Sequence, residues 1–167
     1  MKKQILSEQA LYSGNVLMPK GFEIDREKLS DNILKSILTN SETSFSKTLG
    51  ILNTYLREHL TVEYGFKLIN KGTWGNAYKP NQQTIPLLNV DPIDLKNSPD
   101  FTLLYGVKTD NCFIRVYYDD NRRKGRSWDI ELKDNMFIMF PSTNMYYINN
   151  KQKNSLNIIQ TITYEYI

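Results

Sequence analysis

Leu29, Ile33, Leu34, Ile37 and Leu38 recur at helical spacing, which predicts a first helix capped by Asp25 or Ser30. The polar run Asn40-Ser41-Glu42-Thr43-Ser44 breaks it. Leu49, Leu52, Leu56 and Leu60 form one stripe on a second helix from about Ser46 to Tyr64, with Gly65 as its stop. His59 lies one residue off that stripe, where a histidine packing beside the core is expected. Before these helices, residues 1–24 show no sustained period. Tyr12-Ser13-Gly14-Asn15 reads as a turn, and the segment as an arm or an edge strand with its own docking surface.

From residue 66 onward the pattern changes to short apolar runs separated by turns. Phe66 to Ile69 opens it, and a long segment from Pro80 to Asp100 carries Pro86, Pro92 and Pro99. So long an irregular connection is uncommon in a compact domain, so a functional loop or an extended segment along another surface is expected. Leu87 to Val90 is a candidate edge strand within it. Strands are then predicted at Phe101 to Val107, Cys112 to Tyr118, Trp128 to Leu132, Met136 to Phe140, Met145 to Asn149 and Ser155 to Tyr166. Met136 to Phe140 is apolar on both faces, as a covered central strand would be. The fold class expected is α+β: two helices packed on an antiparallel β-sandwich or jelly roll. The organisation expected is an arm (1–24) followed by one domain (25–167), with a helical part (25–65) and a sandwich (66–167).

Composition adds limits. The 167-residue chain is 12% aromatic, which suits pleated sheet, and its net charge of +3 does not by itself imply nucleic acid. No window approaches the roughly 18 apolar residues of a membrane span, and the basic N-terminus has no apolar run after it. The single cysteine, Cys112, permits no internal disulfide and is expected to be buried. The single histidine, His59, excludes a 2-His-1-carboxylate iron site and histidine-rich zinc sites. Ser142 lies in no nucleophile elbow, and the scattered glycines form no phosphate-cradling loop. Abundant Asn, Lys, Ile and Tyr suggest an AT-rich genome.

The order of elements carries a resemblance. Phe140-Pro141-Ser142, a strand, a polar turn and then Asn157 to Thr163 resemble the end of the double-stranded β-helix in prolyl-hydroxylase-like Fe(II)/2-oxoglutarate oxygenases. Leu103 to Val107 and Trp74-Gly75-Asn76 resemble earlier strands of that family, so the likeness covers roughly residues 66–167. In the family, a histidine after the Phe-Pro-Ser segment binds iron and an arginine opening the last strand binds 2-oxoglutarate. Here those positions fall near Tyr146 and Asn157, and the first ligand pair falls near residues 87–95, where Asp91 and Asp94 occur. An amide cannot pair with a carboxylate as a guanidinium does. Asp91 and Asp94 beside Pro92 are expected to cap turns. The resemblance therefore implies a degenerate member that has kept the scaffold, of the kind carried by marine tailed phages.

The function expected from these residues is a non-enzymatic structural or protein-binding component, such as a capsid, neck or tail accessory protein of a tailed phage. No enzyme activity, cofactor, bound metal or small-molecule substrate is expected. The partners expected are other protein subunits, at a virion or in the cytoplasm, with no membrane contact. The candidate partner-binding residues are Arg122, Arg123, Lys124, Arg126 and Trp128, because guanidinium groups and indoles are enriched at interface hot spots. The alternative is an oxygenase with an atypical metal site, drawing on Asp91 or Asp94 and on His59 or Tyr146.

Overall fold

The computed structural model describes residues 1–6, 8–42, 46–118 and 125–167. Helix α1 spans Arg26–Leu38 and α2 spans Lys47–Tyr64. The Asp25 carboxylate accepts from the Lys28 N–H and the Ser46 hydroxyl from the Leu49 N–H, satisfying donors that each helix leaves free in its first turn. Gly65 ends α2 at φ 73°, a left-handed conformation that costs a glycine little. Leu49, Leu52, Leu56 and Leu60 are all buried, as their spacing predicts.

The described residues form eight strands: β1 (Tyr12–Asn15), β2 (Leu68–Tyr78), β3 (Phe101–Lys108), β4 (Cys112–Tyr118), β5 (Arg126–Glu131), β6 (Met136–Pro141), β7 (Tyr146–Asn150) and β8 (Asn157–Tyr166). They form a five-stranded sheet, β1-β6-β3-β8-β2, and a three-stranded sheet, β5-β4-β7. All of the pairings are antiparallel. The α+β jelly roll expected from the sequence is the fold observed.

Alternation along the strands divides the apolar residues between two cores. On β6, Phe137 and Met139 join the helix-side core with Leu52, Leu56 and Ile33. Ile138 and Phe140 join the core between the sheets with Leu104, Ile114, Ile148 and Ile159. This explains why β6 is apolar on both faces: it is paired on both edges and covered on both sides.

Two local readings change. Tyr12–Asn15 is not a turn but the edge strand β1, the second of the two readings of this segment, paired with β6 from Tyr12↔Met139 to Asn15↔Met136. Pairing and the packing of Tyr12 on Tyr64 (4.7 Å) and Phe66 (5.2 Å) override the Gly-Asn composition. The proline-punctuated segment lies along the sandwich, with antiparallel bridges Gln83↔Asn149 and Leu87↔Tyr146 that place it beside β7.

Candidate functional site

One end of the sandwich gathers the end of β4, the starts of β5 and β7, the start of β3 and the end of β6. The Leu87↔Tyr146 bridge brings the 83–89 segment to the same place, through Leu87 N–H to Tyr146 O at 2.7 Å and Tyr146 N–H to Leu87 O at 3.0 Å. Two residues on, the Asn89 amide donates to Thr102 Oγ1 at 3.0 Å and to the Tyr146 hydroxyl at 3.1 Å. Thr102 and Ser142 share a hydrogen bond of 2.9 Å. The result is a four-residue polar cluster, Asn89, Thr102, Ser142 and Tyr146, set against the apolar inter-sheet core. Every member is neutral. Burial raises the Tyr146 phenol above its usual pKa, against a smaller lowering by the Asn89 hydrogen bond, so it stays protonated at neutral pH.

Beside this cluster a mouth of about 340 Å³ opens between the sheet edges, lined by Leu11, Val116, Tyr118, Trp128, Phe140 and Asn144 among others. Phe140 joins mouth and cluster, its ring 5.0 Å from that of Tyr146 in an edge-on contact. At the other end of the sandwich, Asn150 and Asn157 form a buried amide pair. Asn150 donates to the carbonyls of Tyr78 (3.0 Å) and Lys79 (2.8 Å) and accepts from Asn157 Nδ2 (2.7 Å). Asn157 in turn accepts the Asp110 N–H at 2.9 Å. The length between the two ends is filled by Ile114, Leu104, Ile148, Ile159 and Cys112. Burial pushes the Cys112 thiol up to about 12, as expected for an inert buried cysteine.

The residues singled out from sequence do not converge. The Asp91 carboxylate is exposed and accepts from the Ile93 N–H, and that of Asp94 accepts from the Asn97 amide. Both are turn residues, as the proline between them suggested. His59 lies on the helix side, stacked on Tyr55 at 5.6 Å and edge-on to Phe137 at 5.9 Å. Tyr146 is on the opposite side of the five-stranded sheet, so the improvised ligand set is not assembled. Arg126 and Trp128 lie on β5, whereas Arg122, Arg123 and Lys124 fall outside the described residues. Sequence reasoning missed Asn89, Thr102 and Asn150. The sequence carried no signal for Asn89 beyond a polar residue in the otherwise apolar run Leu87 to Val90.

The chain resembles solved oxygenase structures from end to end. A *Pseudomonas putida* prolyl-4-hydroxylase superposes with a TM-score of 0.66 at 10% identity, over 95% of this chain and 94% of that one. The non-haem α-ketoglutarate-dependent epimerase SnoN from nogalamycin biosynthesis gives 0.64 at 8% identity, over 94% and 78%. A 2OG-Fe(II) oxygenase family oxidoreductase from *Burkholderia pseudomallei* gives 0.53 at 11%, over 72% and 57%. What the chain shares with these structures is the fold. No family model and no curated protein matches the sequence.

This likeness corrects the expected function. A non-enzymatic virion component, and with it a chain that is not an enzyme, is the poorer reading of a fold matched throughout by oxygenases and an epimerase. The oxygenase alternative is the better one at the level of scaffold. The side chains set its limit. Among the described residues no group of three His, Cys, Asp or Glu could hold a metal. Fe(II) needs imidazole or carboxylate donors, and the cluster offers an amide, two hydroxyls and a protonated phenol. At the anchor position both polar ends of Asn157 are already engaged by Asp110 and Asn150. Neither iron nor 2-oxoglutarate fits the described residues at these positions.

Proposed function

We propose that this chain is a divergent enzyme of the 2-oxoglutarate oxygenase fold that acts on a small organic molecule at the mouth between its sheets. Its iron and 2-oxoglutarate ligands have been exchanged for neutral side chains, which makes it a degenerate member with respect to that chemistry. The observation that carries the reading is the open mouth at the end of the sandwich, lined by Leu11, Val116, Tyr118, Trp128 and Phe140 with Gln9 and Asn144 among them. A largely apolar pocket with a few polar groups is what holds and orients a small ligand. Gln9 and Asn144 can meet the polar edge of such a molecule, and Phe140 and Trp128 its apolar part.

This reading assigns Trp128 to a small molecule in place of the protein partner expected from sequence. The test is chemical-shift mapping of the labelled protein against a mixture of neutral organic fragments. Shifts concentrated at Leu11, Val116, Trp128, Phe140 and Asn144 are the expected result. Shifts scattered over the surface, or none at millimolar fragment, would overturn it.

A further inference from the structure

We infer that the mouth takes a flat, uncharged aromatic or fused-ring molecule, stacked on Trp128 and limited in length by Leu11. The inference rests on the chamber reading above and names the class of ligand and the two residues that select it.

Trp128 pairs with Val116 across β5 and β4, and Val116 is buried in the inter-sheet core. Directly opposed residues share a face of the sheet, so the indole is turned toward the space between the sheets. It is nevertheless 60% exposed. A large aromatic on an inward face, left uncovered at the open end, is surface that a ligand would bury. Ile130, two residues on and on the same face, packs against the inter-sheet core, so Trp128 is the inward-facing apolar residue of β5 that is left exposed.

Leu11 closes the mouth from the other sheet. The register Tyr12↔Met139 places Leu11 next to Phe140, one position along. Tyr12 faces the helix side, held by Tyr64 and Phe66, so alternation turns Leu11 to the opposite face. There it packs against the inter-sheet core and lines the mouth. Tyr12 thus fixes where the N-terminal segment leaves the sheet and where Leu11 sits. The described lining residues are apolar, aromatic or, at Gln9 and Asn144, amide, and carry no formal charge. Burying an ionised group against these described residues would leave it without a partner among them, so the described lining favours a neutral ligand. A volume of about 340 Å³ is at the small end of small-molecule sites, which suits two fused rings.

The experiment is saturation-transfer NMR with naphthol, naphthoate and cyclohexanol on the wild-type chain and on Trp128→Ala, Trp128→Phe and Leu11→Ala. Naphthol is expected to bind more tightly than the other two probes. Trp128→Ala should weaken it about tenfold, with Trp128→Phe restoring most of the loss. Leu11→Ala should admit the three-ring analogue anthrol, which the wild type excludes. Equal or tighter binding of naphthoate, an unchanged Trp128→Ala, or no change in ring-size limit in Leu11→Ala would each overturn the inference while the chamber reading stands. Failure of every probe and fragment to bind would overturn the chamber reading itself.

Discussion

Replacing Asn150 by leucine tests whether the anchor end of the sandwich is structural. The side chain is fully buried and makes four hydrogen bonds of 3.0 Å or less: to the carbonyls of Tyr78 and Lys79, from Asn157 Nδ2, and from the Gln152 N–H. Leucine preserves the volume and removes all four. At about 1 kcal/mol for each bond, with partners that water cannot reach easily, the loss is about 3–4 kcal/mol. That is a large share of the roughly 5–15 kcal/mol that holds a domain of this kind together. Equilibrium urea unfolding followed by circular dichroism measures it as a lower midpoint at unchanged slope. Asn157→Leu should cost less. The double variant should fall short of the sum, because the two residues share the 2.7 Å bond. A loss below about 1 kcal/mol for Asn150→Leu would refute the argument that this amide pair holds the end closed.

Three further outcomes follow from the geometry. Tyr146→Phe should cost about 1 kcal/mol, and a cycle with Asn89→Leu should show coupling of similar size, read by the same unfolding assay. Cys112, buried with its pKa pushed up to about 12, should resist a thiol reagent at pH 8 in the folded protein and react once it is unfolded. The sign is that of an acid whose neutral form is favoured by burial, so rapid labelling under native conditions would contradict it. Gly75→Ala should destabilise by about 1–3 kcal/mol, because a Cβ there would lie 2.3 Å from Ile33 Cγ1. Ile33→Ala in the same chain should recover part of that loss, and a fully additive double variant would count against the contact.

Much of the scaffold was legible in the chain because its signals are local. The leucine stripe of α2, its Gly65 stop, and the strands from Phe101 onward need only periodicity and turn chemistry. The parts that were not legible depend on distant partners. Strand β1 exists because β6 pairs with it, and nothing in Tyr-Ser-Gly-Asn says so. Strand β2 runs through Gly72 and Gly75 because α1 sets Ile33 against Gly75, where a side chain would not fit. The polar sites were harder still. Asn150 stands in a run of turn-forming residues, yet it is buried with its amide fully engaged. Asn89 looks like a loop residue until the Leu87↔Tyr146 bridge shows what it faces. Histidine scarcity gave no reason to reject an enzyme fold, since a fold and its site are separate properties.

The most direct test of the account is anaerobic titration calorimetry of Fe(II) and 2-oxoglutarate against the purified chain, with metal content determined on the same sample. The account predicts no tight, mutually dependent binding, because Asn89, Tyr146 and Asn157 offer neutral or already engaged groups where a metal and a dicarboxylate would need charged ones. Micromolar binding of each that requires the other, lost in Tyr146→Phe or Asn89→Leu, would contradict the account and make the neutral cluster a working iron centre.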